Sequence, residues 1–295
     1  VQRGGPSTGL PTKTEQADLL QALYGRHGES PIPVIAAQSP ADCFDAALEA
    51  CRLAVKYRHP VILLTDGYLG NGSEPWQLPD LSTIPPIDPD FATAPNATNA
   101  KGEPAFHAYK RDARSLARPW AIPGTPGLQH RIGGLEKSDG PGAISHDPAN
   151  HDRMTRLRVE KVNRMVADIP DLDVDDPTGD AELLILGWGS SYGPIKAAVR
   201  NLREDGVKVA RAHLRHLNPL PKNTGDVLRA YQRVVVPEMN LGQLSRILRA
   251  EFLVDIRSVT SVRGLPFAVP EVMHLVNEHL GDMALTEEQL EEDEK

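Results

Sequence analysis

Two short apolar runs flank a helical pattern near the start of the chain, and this order constrains the fold most strongly. The runs are "PVIAAQ" (33–38) and "HPVILLTDG" (59–67), each bounded by turn residues. Strand, helix and strand with apolar strands predict a βαβ unit and a parallel sheet, where ligands bind beyond the carboxyl ends of the strands. The helix is predicted to begin at Ser39, and its apolar face comprises Phe44, Leu48, Cys51 and Val55.

A second α/β unit is predicted over residues 180–284. Its strands are "ELLILGW" (182–188), "VKVARAHL" (207–214) and "RVVVPEMN" (233–240), each followed by a turn or a helical pattern. The apolar residues predicted to face inward from its helices are Ile195, Ala198, Val199 and Leu202, then Leu241, Leu244 and Leu248, then Val272, Val276 and Leu280.

The segment between the two units is rich in proline. Twelve of the 26 prolines lie between Pro75 and Pro148, which disfavours regular helices and central strands there. Its aromatic residues argue against plain disorder, so we predict an ordered connector draped over a surface. A charged, exposed helix is predicted to follow at 151–169.

Charge and cysteine content exclude several classes of protein. The net charge of −8 argues against a nucleic-acid partner, and much of it lies in the acidic tail at 285–295, predicted to be a solvated end. No apolar run approaches the ~20 residues needed to span a bilayer. Cys43 and Cys51 lie eight residues apart on one predicted helix, too far apart for a disulfide. Reduced cysteines predict a cytoplasmic protein, and two are too few for an ordinary iron–sulfur cluster.

Three motifs allow a structural interpretation as well as a functional one. "GWGSSYG" (187–193) departs from dinucleotide-binding spacing, so it is interpreted as a tight strand-to-helix turn or as a turn that docks another chain or a phosphate. Asp66 stands at a strand end and is interpreted mainly as a cap. His146 and His151 lack further ligands and are assigned to a surface loop, with no metal site predicted.

The stretch "RGGPSTGLPT" (3–12) is the candidate binding site. Its glycines relax the backbone, and its N–H groups and hydroxyls could surround an anion. Arg3 and Thr12 could converge on a carboxylate, because the planar guanidinium of arginine binds carboxylates with two hydrogen bonds. The alternative is a glycine-rich terminus without a fixed shape.

At these residues the chain resembles the α subunit of 2-oxoacid:ferredoxin oxidoreductases, specifically the 2-oxoglutarate type. Four segments carry the resemblance, and they span most of the chain: "RGGPSTGLPTKTEQADL", "RHPVILLTDGYLGNGSEPW", "GGLEKSDGPGAISHDPANHDRMTRLRVEKV" and "LLILGWGSSYG…VVVPEMNLGQL".

The resemblance implies an α/β fold with parallel sheets flanked by helices, divided into four parts. Residues 1–75 would be the C-terminal part of a pyrimidine-type thiamine-diphosphate-binding domain, which implies that the chain starts inside that domain. Residues 76–179 would form the connector and charged helix, 180–284 a transketolase C-terminal-like domain, and 285–295 the tail.

The resemblance also implies a reaction, in which 2-oxoglutarate, coenzyme A and oxidised ferredoxin give succinyl-coenzyme A, carbon dioxide and reduced ferredoxin. Thiamine diphosphate, Mg²⁺ and a [4Fe–4S] cluster would be bound mainly by a β subunit and none by this chain alone, which would be inactive by itself. Arg3 and Thr12 would contact the 2-oxoacid, and Ser7, Thr8 and Gly9 would shape the wall of its site. No general base is identified in the chain.

Two alternatives stay open at this point. The chain could be a non-catalytic scaffold that docks the β subunit, or a relative that acts on pyruvate or a branched-chain 2-oxoacid.

Overall fold

The computed structural model describes residues 1–293, with side chains described up to residue 281. The helices are α1 (Leu19–Tyr24), α2 (Asp42–Tyr57), α3 (Gly67–Asn71), α4 (Pro148–Arg164), α5 (Tyr192–Glu204), α6 (Thr224–Arg229), α7 (Gln243–Phe252) and α8 (Val269–Asp293). The strands are β1 (Val34–Ala36), β2 (Ile62–Leu64), β3 (Ala97–Thr98), β4 (Pro104–Ala105), β5 (Val174–Asp175), β6 (Leu183–Trp188), β7 (Val209–Leu214), β8 (His216–Asn218), β9 (Arg233–Glu238) and β10 (Ile256–Thr260).

A three-stranded sheet of order β2-β1-β8 forms the first unit. Strands β1 and β2 are parallel and joined by α2, which confirms the predicted βαβ unit. Strand β8 runs antiparallel along the other side of β1 and comes from the far end of the sequence. The first sheet is therefore mixed, not purely parallel as predicted, and it is completed by a strand that local pattern does not reveal.

The second sheet has five strands in the order β10-β9-β6-β7-β5. Its four long strands are parallel, and the short β5 is antiparallel to β7 at one edge. Strand β6 is fully buried, as expected of a central strand covered on both faces. One hydrophobic cluster joins the two sheets, including Val34, Leu64, Leu184 and Leu214.

The predicted helix faces are confirmed in α5 and α8 and wrong in two other places. Helix α2 begins at Asp42, and Ser39 Oγ accepts the Asp42 backbone N–H at 3.3 Å. The buried residues of α2 are Asp42, Ala46, Leu53 and Tyr57, whereas the predicted Cys51 is exposed. The difference arises because Ala46 packs against Ala37 and Leu69, whereas Leu53 and Tyr57 pack against Met165 and Ile169, so the buried positions do not follow a single apolar stripe.

Leu241 is the other exception, with 70% of its surface exposed, whereas Leu244 and Leu248 are fully buried. Leu241 precedes the start of α7 at Gln243, so helical spacing does not apply to it.

The proline-rich connector carries little regular structure beyond one two-stranded ribbon of β3 and β4. It is fixed by aromatic contacts, including Phe44 with Trp76 and Phe91 with Trp120. Helix α4 follows as the predicted charged helix, and its buried residues are Met154, Lys161 and Val162. The acidic tail overlaps the end of α8, but its side chains lie outside the described residues.

Cys43 and Cys51 are both unpaired, as predicted. None of the described helices is long and apolar enough to cross a membrane.

Candidate functional site

The N-terminal loop is attached to the carboxyl end of β2. The Gln2 N–H donates to Thr65 O at 2.7 Å, and the Gly67 N–H donates to Gln2 O at 2.8 Å. These bonds extend the parallel sheet by one isolated bridge between Gln2 and Asp66. The loop of residues 3–12 therefore begins at the sheet edge where parallel α/β folds bind ligands.

Hydrogen bonds across its base give this loop a closed shape. The Leu10 N–H donates to Gly4 O at 2.9 Å, and the Gly4 N–H donates to Lys13 O at 3.0 Å. Gly9 adopts a φ of +47°, and a Cβ there would lie 2.3 Å from Gly4 O. Only glycine fits this position without displacing backbone, so the glycines of "RGGPSTG" serve a defined turn.

All five predicted site residues lie exposed on this loop: Arg3, Ser7, Thr8, Gly9 and Thr12. Arg3 Nη1 donates to Thr8 O at 2.6 Å, which joins the two sides of the loop. Among the described residues no side-chain contact joins Arg3 to Thr12, and the hydroxyls of Ser7, Thr8 and Thr12 make no hydrogen bond. The loop thus offers a guanidinium and three hydroxyls to a ligand, and the roles assigned to these residues remain predictions.

Asp66 is a helix cap, which agrees with its main interpretation. It is 1% exposed, and its Oδ1 accepts the N–H groups of Tyr68 and Leu69 at 3.0 and 3.1 Å, at the start of α3. Its carboxylate is therefore engaged beneath the loop rather than offered to a ligand.

A buried set of polar residues, here called the polar seam, joins the loop region to the second sheet. It comprises Gln16, Trp188, Glu238 and Asn240, all at most 2% exposed. Gln16 Nε2 donates to Trp188 O at 2.7 Å, the Met239 N–H donates to Gln16 Oε1 at 3.0 Å, and Asn240 Nδ2 donates to Gln16 O at 2.8 Å. The seam locks the segment after the loop onto the carboxyl ends of β6 and β9.

Glu238 lies at the centre of the seam and is completely buried. Its carboxylate accepts from Trp188 Nε1 at 3.3 Å, Asn240 Nδ2 at 3.0 Å, and the N–H groups of Leu244 and Ser245 at the start of α7. Ser245 Oγ adds a fifth contact at 3.0 Å. A buried carboxylate without an ion pair is stabilised here by the donors and the dipole of a helix N-terminus.

The "GWGSSYG" motif forms a tight turn, and residues of the same chain cover it. Gly189 has a φ of +56°, and a Cβ there would lie 2.9 Å from Gln16 Nε2. Ser190 and Ser191 are buried beside it, before α5 begins at Tyr192. The turn therefore docks the N-terminal segment of this chain.

Sequence reasoning missed the polar seam. Glutamine, glutamate and asparagine ordinarily lie at the surface, and no periodicity separates Gln16 or Asn240 from exposed polar residues. The one available signal was Glu238 inside the apolar run "RVVVPEMN".

The carboxylates at this edge of the sheet are the candidate ligands for a metal ion. Asp66 and Glu238 both have internal donors, and the described part of the chain holds no group of three His, Cys, Asp or Glu side chains that could bind a metal ion. His151 Nδ1 lies 2.7 Å from Glu136 Oε2 on the surface. Within the described residues, Asp66 and Glu238 are therefore not arranged as ligands of a metal ion.

Two family models match the chain. The first, described as pyruvate flavodoxin/ferredoxin oxidoreductase, thiamine diphosphate-binding, matches residues 1–146. The second, described as pyruvate:ferredoxin oxidoreductase core domain II, matches residues 181–286.

Curated relatives match along most of the chain. The 2-oxoglutarate oxidoreductase subunit KorA of Mycobacterium tuberculosis is 62% identical over 92% of the chain, which covers 40% of that protein. The 2-oxoglutarate synthase subunit KorA of Methanocaldococcus jannaschii is 33% identical over 83% of the chain, which covers 62% of that protein. The chain therefore spans less than two thirds of the length of either relative.

A solved structure matches the fold as well. The 2-oxoglutarate:ferredoxin oxidoreductase from Magnetococcus marinus, with 2-oxoglutarate, coenzyme A and succinyl-CoA bound, matches 94% of this chain and 47% of its own, at a TM-score of 0.78 and 35% identity. With both family models placed in order along one α/β chain, this protein belongs to the family of 2-oxoacid:ferredoxin oxidoreductase α subunits.

Proposed function

We propose that this chain is the α-subunit portion of a 2-oxoglutarate:ferredoxin oxidoreductase, in which it helps bind the 2-oxoacid. The reaction is the oxidative decarboxylation of 2-oxoglutarate with coenzyme A to succinyl-coenzyme A and carbon dioxide, with the electrons passed to ferredoxin. The names of the Mycobacterium tuberculosis and Methanocaldococcus jannaschii relatives and the ligands of the Magnetococcus marinus structure support this substrate.

The observation that carries the proposal is the Arg3 loop at the carboxyl end of β2. Arg3 Nη1 donates to Thr8 O and, at 3.4 Å, to Gly4 O, which leaves Nη2 and Nε for a ligand, and the closed turn fixes its backbone. A pre-ordered guanidinium beside free hydroxyls suits a carboxylate of a 2-oxoacid, because little conformational freedom is lost on binding. In this proposal Arg3 and Thr12 contact the substrate, and Ser7, Thr8 and Gly9 form the wall.

The cofactors follow a division between subunits in this proposal. Thiamine diphosphate supplies the carbanion-stabilising chemistry when bound. The β subunit holds Mg²⁺, the diphosphate and the [4Fe–4S] cluster, since this chain's carboxylates at the sheet edge are engaged and its cysteines are two. This chain contributes substrate contacts and a rigid wall, and the complete enzyme works in the cytoplasm.

The test is Arg3→Ala in the complete enzyme. We expect KM for 2-oxoglutarate to rise at least tenfold, because a charge-assisted contact to the substrate is lost, with a smaller rise for Arg3→Lys. Arg246→Ala, which removes another exposed arginine on α7, is the control and should leave KM unchanged. An unchanged KM in Arg3→Ala would remove the loop from the substrate site.

The same assay separates the alternatives. Turnover on pyruvate or a branched-chain 2-oxoacid that exceeds turnover on 2-oxoglutarate would favour a relative with that substrate. Full activity in variants of Arg3, Ser7, Thr8 and Thr12 would favour a scaffold that only docks the β subunit.

A further inference from the structure

Two adjoining cavities lie where the proline-rich connector covers α2 and α4. The larger, of about 640 Å³, lies between α2 and the connector, and the smaller, of about 310 Å³, lies between α4 and the connector. Arg58, Arg111 and Arg118 line both, so the two spaces share one arginine-lined boundary. Both volumes lie near the range of small-molecule sites.

The smaller space, here called the basic cavity, is strongly positive. Its one acidic lining residue is Glu136, whose carboxylate contacts His151 and Asn150 on the surface. The larger cavity is more balanced, because Asp88, Asp90 and Asp112 line it. The cations that line the basic cavity are Arg58, Arg111, Arg118, Lys137, Arg158 and Lys161.

Lys161 is the most unusual member of this set. It is 8% exposed, and its ammonium has one hydrogen bond among the described residues, a long one of 3.4 Å to Arg58 O. Burial and the charges of Arg118, Arg111 and Arg58 lower the pKa of Lys161 to about 8. A buried ammonium with three donors and one weak acceptor is short of partners.

The neighbouring arginines are held by rings and backbone more than by carboxylates. The Arg58 guanidinium lies 4.4 Å from the Trp120 ring centroid, and its buried Nε has no partner. The Arg118 guanidinium lies 4.5 Å from the Tyr109 ring centroid and has no ion pair within the described residues. Arg111 is the exception, with Asp139 at 2.6 Å. Arg58 also donates to the carbonyls of Val55 and Pro89, so Nε is its donor without a partner. Stacking orients the Arg118 guanidinium and leaves its donors for another acceptor, because no other described residue accepts from it.

We infer that the basic cavity binds a phosphate-bearing small molecule. Two or more negative charges would offset the mutual repulsion of Lys161, Arg58 and Arg118, and phosphate oxygens can accept from several guanidinium and ammonium donors at once. A concave space of about 310 Å³ suits a compact anion better than an acidic protein surface. The larger cavity gives such a ligand room to extend past the shared arginines.

This chemistry has two sources, a free polyphosphate or the nucleotide end of a larger molecule such as coenzyme A. The inference does not depend on the proposed function, because it rests on the cations of the cavity and not on the Arg3 loop.

The test is calorimetric titration of the full-length protein with pyrophosphate, adenosine 3′,5′-bisphosphate and coenzyme A. We expect binding of the phosphate probes, weakened at least tenfold by Lys161→Met and by Arg118→Gln. Arg156 lies on α4 like Lys161, but it is exposed, pairs with Asp152 and lines neither cavity. The Arg156→Gln variant should bind the probes as the unchanged protein does.

Each outcome decides the inference. Similar affinities for pyrophosphate and the bisphosphate support a free polyphosphate, and much tighter binding of the bisphosphate and coenzyme A supports a nucleotide end. Absence of binding by all three probes, or binding that neither variant weakens, would overturn it. The half-buried Arg118 keeps the test valid if Lys161→Met fails to fold.

Discussion

The polar seam and the basic cavity both bury charged or polar side chains, but they satisfy them very differently. In the seam, Glu238 is completely buried and its carboxylate has five donors within 3.3 Å. In the basic cavity, Lys161 is almost as buried, and its ammonium has one hydrogen bond to the part of the chain that the structure describes, at 3.4 Å. The polar groups of the seam have partners within the described residues, whereas the Lys161 ammonium has one weak acceptor there. Burial alone therefore does not distinguish a structural polar group from one that awaits a ligand, and the number of partners does.

The largest expected effect is at Glu238. We expect Glu238→Ala to lower the free energy of unfolding by about 3–5 kcal/mol, because five donors lose their acceptor in a buried place. Urea unfolding measures this change. Glu251→Ala on the exposed side of α7, the helix whose start Glu238 caps, is the matched control, with an expected change within about 0.5 kcal/mol. A loss below about 1 kcal/mol for Glu238→Ala would show that the seam does not hold the segment after the loop onto the second sheet.

The next largest effect is a pH dependence of the free energy of unfolding that arises from His213. This side chain packs beside the seam, edge to face with Tyr192. Burial first, then Arg211 and Arg215, lower the pKa of His213 to about 3, against a hydrogen bond with Gly189 that raises it. Since the unfolded chain binds a proton near pH 6.5 and the folded chain does not, stability should fall as the pH drops from 6.5 toward 3.

We expect this loss to reach about 2–3 kcal/mol by pH 4.5. His213→Asn should flatten the slope between pH 6.5 and 4.5, whereas His274→Asn on exposed α8 should not. Unfolding curves at several pH values give the slopes, and equal slopes in the two variants would contradict a neutral, half-buried His213.

Lys161 sharpens the comparison, because its replacement should raise the free energy of unfolding, whereas replacement of Glu238 should lower it. Without ligand, Lys161→Met should raise the free energy of unfolding by about 1–2 kcal/mol at pH 7, because a buried cation beside three arginines is removed. Between pH 8 and 10.5 the unfolded chain retains the proton that folded Lys161 has lost, so the unchanged protein gains stability and the difference shrinks. Thermal unfolding at pH 7 and pH 10 tests this, and a destabilised variant at pH 7 would mean that the ammonium is satisfied.

The smallest expected effect on stability is at Arg3. Its side chain is exposed and its one short bond goes to a carbonyl of the same loop, so Arg3→Ala should change the free energy of unfolding by less than about 0.5 kcal/mol. Chemical unfolding of the purified variant supplies the number. A larger loss would assign Arg3 a structural role and weaken its proposed place in substrate binding.

Sequence pattern predicted the local parts of this fold and missed the parts made by distant segments. The face of α5 and the strands β1, β2, β6, β7 and β9 follow from apolar spacing, which reports on contacts within one element. Strand β8 has three residues, and it lies about 180 residues after β1, the strand with which it pairs. No local signal specifies such a pairing.

The candidate site shows the same division. The position of the Arg3 loop at a sheet edge was predictable from the βαβ unit, and its shape from the glycines. The seam and the basic cavity were not, because Gln16 and Lys161 look like surface residues until the fold brings partners or other cations around them.

The pairing of β8 with β1 has a consequence for how the chain is made. While the protein is being synthesised, one side of β1 has no neighbour until residues 216–218 have emerged, long after β2 is available. A truncated chain that ends in the connector would keep that edge open, with Val34 and Ile35 exposed on a strand ready to pair with another molecule. The region matched by the first family model therefore needs β8, from the region matched by the second, to complete its sheet. Expression of the first region alone should yield aggregates.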